Sequence, residues 1–310
     1  MAVIGYIYSG AGYQYVGVGK KVYDNTWAMR QFYDKVDKKY HDFKINKLSF
    51  LGPQEELAKE ENGIIINAVY QAGLYEVLKE RKITPEQMSG YKSGELIAMA
   101  NAGCFSFDDA IGFLFKKREI ITREVGRDMF IHLIINAVPV AKTAQVIGEI
   151  GKQVKAEIVS YNGPDSAVVV VERKIKDKAG QIFEKIGGAV IEVPNEEFSN
   201  FSLLEPVYDK LKKEFKDIEM DKPVHRMICQ TTGGYYENVP DIREKILDYI
   251  YKPARIDRMI ETMLKNAVNT FIEIGCGNFI GRMVRKADSG KRALGTHDLK
   301  ALSTAVKLAN

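Results

Sequence analysis

The sequence predicts an α/β protein with a small α+β unit inserted into a larger one, and three observations carry that expectation. The first is a short apolar run, Val3–Tyr8, that ends in Gly10-Ala11-Gly12. A buried strand entering a backbone loop has this form. The second is Ser89-Gly90-Tyr91-Lys92-Ser93-Gly94-Glu95, followed by the apolar run Leu96-Ile97-Ala98-Met99-Ala100. It has the form of a nucleophile elbow, in which small residues let a strand turn sharply into a helix. The third is the order of patterns between residues 127 and 198, which reads β-α-β-β-α-β, the ferredoxin-like split unit.

Taken in order, Asp24–Val36 and Glu55–Lys59 have helical spacing. Gly63–Arg81 is a longer helix with Ile65, Ile66, Val69, Leu74 and Val77 on one face. Met88–Ser89 ends the strand that feeds the elbow, and Gly94–Ala102 is the helix after it. Phe107-Asp108-Asp109 starts a helix that runs to about Glu124, with its acids at the positive end. In the inserted stretch, Met129–Ala137, Ala156–Tyr161, Ala167–Glu172 and Ala189–Val193 read as strands, and Ala141–Val154 and Lys176–Ile186 as helices. After Pro194 the chain returns to the larger unit. There Leu203–Phe215, Val239–Tyr249, Arg255–Lys265 and Asp298–Leu308 are helical, and Val224–Cys229 and Thr270–Ile274 are strands. Arg285–Arg292 is a charged, solvent-facing segment.

Composition narrows the function classes. The 310 residues carry 45 Lys and Arg against 41 Asp and Glu, a net charge of +4. That bias suits either a mixed solvated surface or acidic partners. No dense Lys/Arg run is interleaved with aromatics, which argues against nucleic acid. No apolar run reaches the roughly 18 residues of a membrane span. The first residues lack a basic leader and read as a strand rather than a signal peptide. Cys104, Cys229 and Cys276 are widely spaced and odd in number, which suits a reducing cytoplasm and suggests neither a disulfide framework nor a metal site.

An elbow of the form G-x-S-x-G places serine at position 92, where this chain has Lys92, and its nearest serine, Ser93, stands one place late. Three readings of Lys92 stay open: an ordinary loop lysine, a cationic clamp for a carboxylate or phosphate, and a nucleophile. The last would give an amide, too stable to pass its acyl group to a thiol.

The elbow frame Gly90, Gly94, Glu95 resembles the G-H-S-x-G-E motif of the malonyl-CoA:acyl carrier protein transacylase family. Gly10-Ala11-Gly12-Tyr13-Gln14 is similar to that family's G-Q-G-S-Q loop, and Glu273-Ile274-Gly275-Cys276-Gly277-Asn278 to its E-V-G-P-G-K turn. The landmarks keep the family's order and cover essentially the whole chain. The resemblance implies a large α/β-hydrolase-like domain with a mostly parallel sheet, residues 1–126 and 199–310, and an inserted ferredoxin-like small domain, residues 127–198.

It also implies a site in which the reactive side chains differ. The family's serine falls on Lys92, with Ser93 as a possible alternative nucleophile, and its histidine, from P-x-H-x-x-L-M, falls on Asn200. Its carboxylate-gripping arginine falls on Lys117, next to Arg118, with a basic solvent face of Lys116, Lys117 and Arg118 as the alternative. The backbone N–H groups of Ala11 and Ser93 are the implied oxyanion donors, Asn162 a pocket-lining residue or a simple turn residue, and Tyr91 added bulk at the mouth. His41, His132, His225 and His297 read as surface or strand-end residues. The implied partners are acyl-CoA, malonyl-CoA or similar, and acyl carrier protein, with no cofactor and no metal. The implied function is a transacylase homologue of fatty-acid or polyketide biosynthesis, impaired or diverged in catalysis. The alternatives are an active acyltransferase using Ser93 with a relocated base, and a non-catalytic structural partner.

Overall fold

The computed structural model describes residues 2–124, 129–193 and 196–309. The passages expected near residue 127 and at Pro194 lie outside the described residues. Ten strands are described: β1 (Ile4–Tyr8), β2 (Gln87–Gly90), β3 (Phe130–Asn136), β4 (Ala156–Gly163), β5 (Ser166–Glu172), β6 (Ala189–Val193), β7 (Arg226–Ile228), β8 (Ala254–Arg255), β9 (Thr270–Ile274) and β10 (Arg292–Gly295). The helices are α1 (Lys20–Asn25), α2 (Trp27–Lys39), α3 (Ile45–Leu51), α4 (Gln54–Ala58), α5 (Glu60–Glu80), α6 (Gly94–Asn101), α7 (Phe107–Glu124), α8 (Val140–Gly151), α9 (Lys176–Lys185), α10 (Glu205–Phe215), α11 (Val239–Lys245), α12 (Ile256–Lys265), α13 (Phe279–Ala287) and α14 (Leu299–Ala309).

Five strands form a wholly parallel sheet in the order β10-β9-β1-β2-β7. Its middle strand, β1, is buried throughout, as expected of a strand covered on both faces. The second sheet has the order β6-β3-β5-β4-β8. Its first four strands pair antiparallel in the ferredoxin-like arrangement. The short β8 adds a parallel pair, Ser160 with Ala254 and Tyr161 with Arg255, so a segment from late in the chain closes that edge.

Alternation along the strands divides the second sheet's faces. Phe130, Ile134, Val168 and Val170 join the large core, while Ile131, Leu133, Ile135, Val169 and Val171 pack with Ala179 and Phe183 beneath the helices.

Several elements differ from expectation. The helix expected over Asp24–Val36 is two, because Thr26 takes an extended conformation (φ −132°, ψ 134°) between α1 and α2. Helix α5 is buried nearly all round rather than on one face. Its polar Gln71 is used internally, Nε2 donating to the carbonyls of Ser9 at 2.7 Å and Ile274 at 3.0 Å. Arg285–Arg292 is largely exposed, as expected, and joins the end of α13 to β10, an edge strand. His132 is not at a surface or strand end: it sits mid-strand in β3, buried on the face that Phe130 and Ile134 turn to the large core, with its ring against Phe198. No described helix is long and apolar enough to cross a membrane.

Candidate functional site

The glycine frame is enforced by close approach. A Cβ on Gly90 would lie 2.2 Å from the backbone N of Glu95, and one on Gly94 would lie 2.7 Å from the carbonyl O of Ser9. Between them Lys92 holds φ 55°. This left-handed conformation costs a non-glycine residue roughly 1–2 kcal/mol, and side-chain bonds brace it. The Lys92 N–H donates to Gln230 Oε1 at 2.7 Å, and Gln230 Nε2 donates to the Lys92 carbonyl at 2.9 Å. Gln230 is itself held by Glu95, whose two oxygens accept from its backbone N–H and its Nε2, both at 2.8 Å.

The expected landmarks meet here. The Gly10 loop lies against the elbow, since a Cβ on Gly10 would touch the Tyr91 ring at 3.1 Å and Lys92 Cδ at 3.4 Å. Phe279, just after the late glycine turn, stacks on Tyr13 and tilts against Tyr91, at 6.3 and 6.4 Å between ring centroids. Glu273 ties that turn to the start of α13, its oxygens accepting from the Phe279 and Gly281 N–H groups at 3.0 Å each. Ala11 is buried in the loop beside them.

Lys92 is fully buried. Its Nζ donates to the carbonyl of Glu197 at 2.5 Å, lies 3.1 Å from Glu196 Oε1, and stands 5.3 Å from the centre of the Tyr91 ring. Lys117 is buried too, so Lys116, Lys117 and Arg118 do not make one solvent face: the 18-residue helix α7 turns Lys117 inward, while Lys116 pairs with Glu119 outside. Lys117 Nζ makes a short ion pair with Glu197 Oε1 and lies 4.8 Å from the Tyr249 ring centre. Arg118 points elsewhere, lining a surface cavity of about 330 Å³ with Lys44, Lys47 and Glu61.

Ser93 completes the cluster. Both its N–H, at 3.1 Å, and its hydroxyl, at 2.6 Å, donate to Glu197 Oε2. Burial alone raises the Glu197 carboxyl, but the charges of Lys117 and Lys92 and the hydrogen bonds of Lys117 and Ser93 outweigh it and leave the group below the usual carboxylate range. Two buried acids therefore face two buried lysines at the elbow.

Asn200 is buried nearby, at φ 61°. Its N–H donates to the Tyr249 carbonyl at 2.7 Å and its Nδ2 to the Lys252 carbonyl at 2.8 Å. Among the described residues no hydrogen bond joins it to Lys92 or Ser93. Asn162 is buried in β4, its Oδ1 accepting from Ser160 Oγ at 2.7 Å, with Nδ2 lacking a partner among the described residues. His132 has its ring 6.2 Å from that of Phe198, the neighbour of Glu197.

No family model matches the chain. A malonyl CoA-acyl carrier protein transacylase of Bacillus subtilis is 26% identical over 99% of this chain and 97% of its own length. The chain is a homologue of the malonyl CoA-acyl carrier protein transacylases. Solved structures agree on the fold. The transacylase of Clostridium perfringens has TM-score 0.89 and 24% identity, covering 99% of this chain and 97% of its own. A malonyl-transacylase solved in complex with a type II polyketide acyl carrier protein has TM-score 0.90 and 20% identity, covering 99% of this chain and 100% of its own.

The motif resemblance does not mark Glu196 and Glu197. A signal existed: P-x-H spacing calls for proline at 198, whereas the chain has Phe198 there and its proline four positions earlier, at 194. Both glutamates lie between Pro194 and Phe198.

Glu95 permits a separate test of the brace. Burial is the largest influence and pushes its carboxyl up to about 8, against hydrogen bonds from Gln230 and Tyr236. A carboxyl raised on folding binds its proton more tightly in the native state, so its contribution is most favourable below about 4.5 and declines as pH rises toward 8. The unfolding free energy from urea denaturation across that window should fall for the wild type by at most about 1.4 kcal/mol per pH unit. Glu95→Gln should flatten the decline, and equal slopes would show that Glu95 does not titrate there.

Proposed function

We propose that this chain is a transacylase homologue of fatty-acid or polyketide biosynthesis in the cytoplasm that engages acyl-CoA or acyl carrier protein without itself carrying the acyl group. The carrying observation is Lys92 at the elbow, buried and held against Glu196 and the Glu197 carbonyl in the place implied for the nucleophile. An ester to serine is reactive enough to pass on its acyl group, and an amide to lysine is not. Asn200 cannot accept a proton near neutral pH, so the implied base position is also without base chemistry. The partner assignment is supported by the full-length likeness to transacylases and by the neighbour solved with an acyl carrier protein.

Intact-protein mass spectrometry after incubation with malonyl-CoA and with acetyl-CoA tests this reading. No adduct is expected, and acylation of Ser93 or Lys92 would overturn it. Calorimetry with acyl carrier protein should show binding, and its absence would remove the partner half.

One observation favours a second reading. Ser93 Oγ donates to a carboxylate at 2.6 Å, as a nucleophile does to its base. Against it, Glu197 is weakened as a base by its lysines, and its Oε2 also takes the Ser93 N–H that an oxyanion would need. An acyl-Ser93 peptide would decide for this reading.

A further inference from the structure

We propose that the elbow of this chain is a carboxylate-binding site occupied by the chain's own Glu197, and that a small free carboxylate enters it when that side chain is removed. This deepens the reading of a site that carries no acyl group, because a tethered carboxylate excludes any other from the same donors.

The donors belong to the scaffold and the carboxylate does not. Ser93 is the N-cap of α6, three residues past strand β2 of the parallel sheet, and Lys117 lies on α7, which packs on α6. Glu197 reaches them from 104 and 80 residues away along the chain, in the segment that follows β6. Its two oxygens are divided between the donors: Oε1 takes Lys117 Nζ, and Oε2 takes the N–H and hydroxyl of Ser93. Lysine, helix N-terminal N–H and hydroxyl are the groups that recognise a carboxylate, and all are at most 2% exposed. Lys92 and Glu196 form a second pair alongside, so removing Glu197 leaves one uncompensated positive charge in a dry site.

A small void borders Lys117, one of the donors. Its volume of about 30 Å³ is enough for about one water, and Arg118, Glu60 and Ile64 also line it. It shares Arg118 and Glu61 with the surface cavity of about 330 Å³. Cutting Glu197 back to alanine adds the volume that a molecule of acetate needs. In the wild type the tether gives Glu197 a high local concentration, so free carboxylates compete poorly.

The test compares the wild type, Glu197→Ala and Glu197→Gln, using sodium acetate and malonate as probes and acetamide as the neutral control. Calorimetry and thermal midpoints are read together. Glu197→Ala should bind acetate at least about 10-fold more tightly than the wild type and regain most of its lost midpoint. Glu197→Gln, whose amide fills the space, should do neither. Equal affinities in wild type and Glu197→Ala, equal effects of acetate and acetamide, or equal rescue of both variants would each overturn the proposal. So would a Glu197→Ala chain that stays unfolded at saturating acetate, since a filled site restores the ion pair. Acyl-Ser93 in the wild type would overturn only the non-acylating reading, and absent acetate binding only this one.

Discussion

Lys117→Met is expected to lose about 3–5 kcal/mol of stability at neutral pH, because it strands the Glu197 carboxylate in a fully buried site. The Ser93 bonds to Oε2 remain, but they cannot replace a charge. The double variant Lys117→Met/Glu197→Leu should recover much of that loss, since an apolar pair of similar volume has no charge to desolvate. Chemical denaturation of the four proteins in a double-mutant cycle measures the coupling. The pH dependence has a definite sign. A carboxyl held low in the native state contributes stability above its unfolded value near 4.5, and that contribution is lost as pH falls through the lower native value. The deficit of Lys117→Met should therefore be widest at neutral pH and narrow in acid. A loss below about 1 kcal/mol that does not vary with pH would show that water reaches the pair.

The second large effect is restoration of chemistry. Lys92→Ser with Asn200→His should leave the protein nearly inactive in acyl transfer, because Glu197 still occupies the elbow N–H and Lys117. Adding Glu197→Ala and Lys117→Arg should produce an acyl-enzyme and raise malonyl transfer by about 100-fold or more, the lower range for a positioned general base. Two features favour it. The frame of Gly90 and Gly94 is intact by close packing, and the bond from Asn200 Nδ2 to the Lys252 carbonyl is one that an imidazole N–H can make. Position 200 has φ 61°, where histidine is tolerated better than most residues. Radiolabelled transfer and adduct mapping follow each addition, and each single change should do little, since these groups act as a unit. Tyr91 is the obstacle: it is buried against Phe279 and beneath Lys92, and burial and the Glu196 charge hold its hydroxyl well above the usual phenol range. A folded quadruple variant with no acyl-enzyme would show that the pocket has closed around that ring.

Much of this was legible in the residues alone. Strand-to-loop and strand-to-helix signals placed β1, β2 and α6, and the order of patterns marked the ferredoxin-like arrangement of β3 to β6. Local backbone rules carry such features, because a glycine turn or an alternating strand is specified by its own few residues. The resemblance to transacylases likewise implies that Lys92, Asn200 and Lys117 stand where the reactive side chains differ. The two-residue β8 was not legible, since so short a strand exists only through its partner β4.

The sequence by itself determined the elbow's shape and which side chains stand at it. Only the tertiary structure decided what they face. Glu196-Glu197 reads as an acidic pair bound for solvent, and a lysine on an exposed-looking helix turn reads the same way. Their burial follows from how α7 packs against α5, α6 and α10 and from Glu197 meeting it across the chain, relations across 80 and 104 residues that no local pattern encodes. Once packing excludes water, charges cannot stay unpaired, and the two lysines take the two glutamates as partners.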